Sequence, residues 1–400
     1  MQLPEDFVRE TRRIMGDERF GCYLKAFEEE PPVSIRLNPR KVERGAWSVE
    51  HGEPVPWCND GYYLSHRPNF TMDPLLHAGC YYVQEAASMF LWWVIAHAEH
   101  NMQNNKLSSA LDMCAAPGGK STLLRSMLPD ECLLISNEPI AKRASILEEN
   151  VTKWGYPNHL VTCQYPRDFV KKKQHFDLIL CDVPCSGEGM FRKDPATIGE
   201  WSLQQVEKCW QLQRDIVRDA WHCLNDGGIL IYSTCTFNIK ENEENIRWMT
   251  EELGAEVLPV TTKPEWHITG SLLEGFNAPV YRFIPGITRG EGLFMAILRK
   301  GDGSHSNKSS HSNYNNHSND SSPITPTAPL TYQEAISYLR REALHLSDDI
   351  PRGVVTVTFQ GFPLGQVKNI GSRANNLYPK EWRIKTTHTP TEYEPILRKK

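Results

Sequence analysis

Four hundred residues, 40% hydrophobic and 23% charged, make an ordinary globular chain too long for one core, so two or three domains are expected. With 44 Lys and Arg against 49 Asp and Glu, a net charge of -5 argues against a wholly basic nucleic-acid binder and leaves room only for a local basic face. Eleven cysteines without a CxxC pair suggest neither a disulfide framework nor a zinc site, and the longest apolar run, Met89 to Ala96, falls far short of the roughly 20 residues a membrane span needs.

The start, MQLPEDFVRE, has no signal-peptide core, and a cytoplasmic protein is the expectation. Residues 1–75, rich in proline, arginine and aromatics, read as a small α+β appendage. From 76 to 300 one α/β domain is expected. Short apolar runs alternate there with helical patterns, as in a doubly wound, Rossmann-like sheet. The predicted strands are 109–113, 132–137, 160–163, 176–181, 228–234 and 292–300. The last lacks a preceding crossover helix and is expected to run antiparallel. Between them lie amphipathic helices over 141–154, stopped by Gly155, and 202–224, stopped by the Asn-Asp-Gly-Gly at 225–228.

After the first of these strands, LDMCAAPGGKS (111–121) is a loop of small residues leading into a helix. Cys114, Ala115, Ala116, Pro117, Gly118 and Gly119 allow close backbone approach, and the helix start offers free N–H groups to a nucleotide-like cofactor. The P-loop spacing fails because Cys114 stands where a glycine is required, and no full GxGxxG is present. Glu138, about twenty residues beyond the loop, is placed to accept from ribose hydroxyls. An adenosine ligand without a phosphate tail fits both facts, and S-adenosylmethionine is the obvious one. Lys120 could orient the cofactor or an RNA backbone.

Further along, FDLILCDVPCSG delivers Asp182 and Cys185 to the carboxyl end of its strand, and ILIYSTCT delivers Cys235. Ligands of such sheets sit beyond these strand ends, near the switch point. Two thiols and a carboxylate therefore converge on the cofactor.

Residues 301–330 form a polar Ser/Asn/His-rich tract expected to be a flexible linker. In 331–400 eleven Lys or Arg face seven acids, making this segment the first candidate for phosphate contact.

Together DMCAAPGGKS, DVPCSGEGMFRKDP and YSTCT resemble the RNA 5-methylcytosine methyltransferases, in order and at suitable separations. SIRLNPRK (34–41), YYVQEAASM (81–89) and FPLGQVKNIGSRANNLYP (362–379) are most similar to the bacterial ribosomal-RNA enzymes of the RsmF type, in which the tail is a PUA-like RNA-binding domain. The resemblance implies a methyltransferase core with an N-terminal α+β domain and a C-terminal PUA-like domain, and a ribosomal RNA or subunit as partner. Carbon 5 of cytosine is too weak a nucleophile to accept a methyl group unaided, whereas a thiolate added at carbon 6 makes it an enamine. By the family's pattern the thiolate is that of Cys235, with Cys185 assisting release and Asp182 at ring nitrogen 3. Where relatives carry an aspartate toward the adenine this chain has Tyr165, with Asp168 three residues on. RNA contacts are expected from Arg36, Asn38, Arg192, Lys193, Lys368, Arg373 and Lys380. A transfer-RNA substrate and an RNA-binding assembly factor with an impaired site remain open, and a monomer is expected.

Overall fold

The computed structural model describes residues 3–101, 107–301, 325–386 and 390–400. Helix α1 (Glu5–Lys25), kinked where Gly16 adopts φ 76°, buries Phe7, Met15, Phe20 and Tyr23. Strands β1 (Val33–Leu37), β2 (Trp47–Val49), β3 (Glu53–Pro54), β4 (Gly61–Leu64) and β5 (Tyr81–Val83) follow. Four of them form a sheet in the order β3-β4-β1-β5. The appendage thus runs past residue 75, because β1 needs β5 to cover its second edge.

The central domain begins with α2 (Phe90–Asn101) and continues as β6 (Ser109–Asp112), α3 (Gly119–Met127), β7 (Leu133–Asn137), α4 (Ala141–Trp154) and β8 (His159–Thr162). Then come α5 (Pro166–Lys171), β9 (Phe176–Asp182), α6 (Leu203–His222), β10 (Leu224–Thr234), α7 (Glu243–Glu252), β11 (Glu256–Leu258), β12 (Val280–Phe283) and β13 (Leu293–Arg299). The strand order is β11-β13-β10-β9-β6-β7-β8, with β12 also on β13. Strands β10, β9, β6, β7 and β8 are mutually parallel, and β13 is antiparallel to β10, as its missing crossover helix predicts. Strands β11 and β12 escaped the sequence pattern, being short and joined by irregular chain. The Asn-Asp-Gly-Gly does not separate helix from strand: β10 starts at Leu224 and carries it in a register shift before Ile229.

The sheet is buried on both faces, which is why its strands read as unbroken apolar runs. Leu178, Leu180, Ile229 and Ile231 pack on one side, and Ile179, Cys181, Leu230 and Tyr232 on the other. Helix α4 places Ala144, Leu147, Val151 and Trp154 on a single buried stripe and ends at Gly155, whose φ of 74° suits the left-handed cap. Helix α6 starts at Ser202, whose side chain accepts from the Gln205 N–H.

Most of the expected linker lies outside the described residues, but β14 (Thr327–Pro329) already belongs to the C-terminal sheet. It is followed by α8 (Tyr332–Leu339), β15 (Gly353–Phe359), β16 (Phe362–Asn369), β17 (Ala374–Asn376) and β18 (Leu397–Lys399). The sheet order is β14-β15-β16-β17, while β18 pairs with β2 of the first domain. N-terminal Ile35, Leu37 and Leu75 share one apolar cluster with Ala335, Val355 and Leu397, so the two ends of the chain pack as a unit. Among the described residues no helix is long and apolar enough to cross a membrane, and no His/Cys/Asp/Glu group could hold a metal ion.

Candidate active site

Strand β6 is flanked by β7 and β9, so the chain winds out through β7 and β8 on one side and then crosses back to β9 on the other. This is the switch point where doubly wound sheets bind ligands. The loop that follows is held on several sides. The Ala115 N–H donates to the Asn137 carbonyl (2.8 Å), Arg143 Nη2 to the Ala116 carbonyl (3.0 Å) and Asn150 Nδ2 to the Pro117 carbonyl (2.8 Å). Gly118, at φ 114°, precedes the first turn of α3, and a Cβ there would press on Leu147 at 3.2 Å. Burial pushes the Cys114 thiol well above its usual range, which leaves it a neutral wall of the loop.

Glu138 is 1% exposed, with one carboxylate oxygen accepting from the Ile140 N–H (3.0 Å) and the other 3.2 Å from Arg143. Asp112, beneath the loop, accepts from Ser121 Oγ (2.5 Å) through one oxygen, while the other is buried without a hydrogen-bond partner among the described residues. Burial raises its carboxyl to about 7. Small-residue loop, helix start, orphaned acceptor and Glu138 form a cradle that fits an adenosine-type cofactor carrying an amino group.

Tyr165 is 57% exposed, with the Arg167 guanidinium 5.4 Å from its ring. Asp168, three residues on, accepts from the Tyr165 N–H (3.1 Å) through one oxygen as part of the α5 cap.

At the ends of β9 and β10 the two reactive residue types meet. Cys185 Sγ and Cys235 Sγ lie 3.2 Å apart, and the Cys235 N–H points at the Cys185 sulfur (3.4 Å). Asp182 accepts from Lys120 Nζ (2.9 Å) and Ser233 Oγ (2.8 Å). Contact with Cys235, then burial, pushes the Cys185 thiol well up. Burial alone would lower the Lys120 ammonium, but Asp182 more than offsets it, and a Cys235 thiolate would add to the effect. Cys235 is half-buried and so not sealed off.

The expected RNA contacts divide. Lys193, Lys368, Arg373 and Lys380 are exposed. Arg36 and Asn38 are not: Arg36, 1% exposed, donates to Gln84 Oε1 (2.7 Å) and Thr122 Oγ1 (2.6 Å), and Asn38 Nδ2 donates to the Gly79 and Trp154 carbonyls (both 2.9 Å). They join the first domain to α3 and α4, and their burial keeps them off any RNA-facing surface. The Arg192 side chain is likewise buried against Glu291 at 3.2 Å. Sequence reasoning missed Glu241, Gln213 and Asn238, which lie behind the cysteines; the polar run after YSTCT signalled Glu241 and Asn238, and nothing signalled Gln213 on α6.

Comparison with known proteins gives the family. Residues 99–299 match the family described as 16S rRNA methyltransferase RsmB/F. Residues 3–86 match the N-terminal domain of 16S rRNA methyltransferase RsmF, and 325–384 its PUA domain. Ribosomal RNA small subunit methyltransferase F of Pectobacterium atrosepticum is 33% identical over 324 residues, covering 74% of this chain and 63% of that protein. The same-named protein of Aliivibrio salmonicida is 34% identical over 318 residues, covering 74% and 64%. The chain therefore spans less than two thirds of the length of these relatives. A methyltransferase homolog protein from Pyrococcus horikoshii superposes with a TM-score of 0.61 at 24% identity, covering 74% of this chain and 95% of that one. NSun6 from Pyrococcus horikoshii with SFG gives 0.61 at 20% identity, covering 75% and 99%. Both share the fold.

Proposed function

Because the chain belongs to the RsmB/F family of 16S rRNA methyltransferases, we propose that it methylates carbon 5 of a cytosine in small-subunit ribosomal RNA, using S-adenosylmethionine. The observation that carries this is the contact of Cys185 with Cys235 beside the Lys120–Asp182 pair, at the switch point next to the cofactor cradle. A nitrogen or oxygen acceptor needs no covalent activation, so paired thiols favour a carbon acceptor.

The cofactor, held by residues 114–119, Glu138 and Tyr165, supplies an electrophilic methyl group. The chain's own residues do the rest. The Cys235 thiolate adds to carbon 6, and the electron pair of the ring double bond moves toward carbon 5. Asp182 and Lys120 together meet the charge and proton demand at the nitrogen 3 edge. Once carbon 5 is methylated, its hydrogen passes as a proton to solvent water acting as base, and the carbon 6–sulfur bond breaks, restoring the ring double bond and the Cys235 thiolate, to which the neighbouring Cys185 thiol donates. Cys185, kept as a thiol, assists that release.

A stacked, paired cytosine cannot reach the cysteines, so the target must be unpaired or flipped out, at a cost of a few kcal/mol. The exposed cations of the C-terminal domain and Lys193 are the phosphate contacts this reading uses. It also carries with it a cytoplasmic location and a monomer. Incubation with methyl-labelled S-adenosylmethionine and unmodified small ribosomal subunits, naked 16S rRNA or transfer RNA tests it. Label in ribosomal RNA supports the reading, and label in transfer RNA alone moves the substrate. Label in neither, with binding retained, leaves an assembly factor, the outcome that Tyr165 in place of an aspartate favours.

A further inference from the structure

Behind the two cysteines lies a buried polar hub that the chemistry above does not use. Its centre is Glu241, wholly buried just after β10. One carboxylate oxygen accepts from the Ser186 N–H (3.0 Å) and from Gln213 Nε2 (2.6 Å). The same Gln213 nitrogen donates to the Pro184 carbonyl (2.9 Å). The residues on either side of Cys185 are therefore both fixed, one directly and one through α6. The other oxygen accepts from Asn238 Nδ2 (2.7 Å), which also lies 3.0 Å from Thr236 Oγ1, the residue after Cys235. Ser186 Oγ and Thr236 Oγ1 close the ring at 2.8 Å.

We propose that Glu241 is a positioning residue for both thiols: its carboxylate is the shared anchor that sets the distance and the separate chemical states of Cys185 and Cys235. Three donors converge on two oxygens, a demand that a carboxylate meets and an amide does not, because an amide turns one acceptor into a donor. Charge adds a second effect. Contact with Cys235, then burial, opposes ionisation of the Cys185 thiol, and the Glu241 carboxylate, where ionised, adds to both. The carboxylate thus acts on the loops of both cysteines by position and on Cys185 by charge as well.

The proposal rests on the methyltransferase reading, and its test separates the two. In the full chain, Glu241→Gln should keep RNA and S-adenosylmethionine affinities while lowering kcat on unmodified 16S rRNA by roughly 100-fold, the scale of a misplaced reacting group. Without any RNA, iodoacetamide labelling read by mass spectrometry should show Cys235 reacting ahead of Cys185 in the wild type, with that difference shrinking in the variant. Turnover within about threefold of wild type together with an unchanged labelling order would overturn the proposal. If Glu241→Gln does not fold, Asn238→Ala, which keeps the Glu241 carboxylate and removes the donor that ties it to Thr236 and Ser186, must slow turnover without weakening either ligand; wild-type kinetics would overturn it equally. A wild type that labels no RNA would sink the methyltransferase reading, yet the thiol labelling would still decide for or against Glu241.

Discussion

Lys120 Nζ, on the first turn of α3, lies 2.9 Å from Asp182 Oδ2 at the end of β9, so the cofactor loop and the cysteine-bearing loop are joined by an ion pair. Asp182 holds the ammonium charged in a buried place, so Lys120 is a standing cation through neutral pH. Lys120→Met should lower kcat by about 10²-fold and change RNA affinity little, because its charge is needed where ring charge develops. Single-turnover methylation beside a filter-binding titration checks this. Equal losses in binding and turnover would make Lys120 a substrate-binding group instead.

The sulfur–sulfur contact predicts opposite fates for the two cysteine variants. Cys185→Ala should accumulate a protein–RNA adduct that survives denaturing electrophoresis, since attack is intact and release is impaired. Cys235→Ala should form none. The reverse pattern would exchange the two roles.

Much of this was legible from sequence, for a physical reason. Strands of a doubly wound sheet are apolar on both faces, and their carboxyl ends gather at one place, so a motif at the end of a run locates itself: Cys185, Cys235, Asp182 and the 114–119 loop all lie where the runs end. What stayed hidden was whatever depends on long-range packing. Arg36 looked like an RNA contact because charge implies exposure, whereas it is buried, stacked on Trp154 at 4.5 Å and hydrogen-bonded to Gln84 and Thr122 inside the protein. Glu241 looked like one acid in an acidic run, and only the fold brings Ser186 and Gln213 to it.

That distinction is testable. Arg36→Met should leave buried acceptors at Gln84 and Thr122 unpaired, cost about 3 kcal/mol of stability and leave the salt dependence of RNA binding unchanged. Lys368→Ala should do the opposite: leave the thermal midpoint alone and reduce the slope of log affinity against log salt by about one contact's worth. A shallower slope for the Arg36 variant would return that residue to the RNA surface.

Buried carboxylates set the pH dependence of stability. Burial raises Asp112 and Glu241 to about 7 and Asp73 to about 6, above their unfolded values. Between about pH 4 and pH 7 the folded state therefore binds more protons than the unfolded chain. The contribution is full below the unfolded pKa and is lost as pH rises through the folded one. Stability should accordingly fall from pH 5 to pH 8, by up to about 1.4 kcal/mol per unit for each group. Asp112→Asn, which keeps an acceptor for Ser121, should flatten that decline and raise the midpoint at pH 8. Urea titrations across this range would show it, and an unaltered slope would mean Asp112 does not titrate there.

The last strand makes the two ends of the chain interdependent. Tyr393 donates to Asp73 Oδ1 (3.0 Å) and stacks on Tyr332 at 5.0 Å, while Asp73 also receives Tyr81 OH (2.8 Å) and the Leu75 N–H (2.9 Å). Four residues downstream, β18 adds itself to β2. Asp73 is thus a buried acid whose hydrogen bonds come from both the N-terminal domain and the tail. Tyr393→Phe keeps the ring packing and removes one donor, so it should cost about 1 kcal/mol. The loss should fall on the tail first: protease cleavage after the C-terminal lysines and arginines should speed up, while cofactor affinity, set by the 114–119 loop of the central domain, stays the same. Destabilisation of cofactor binding along with the tail would mean that the anchorage at Asp73 is transmitted to the cofactor loop, for which the packing of Lys153 of α4 against Tyr378 and Trp382 offers a route.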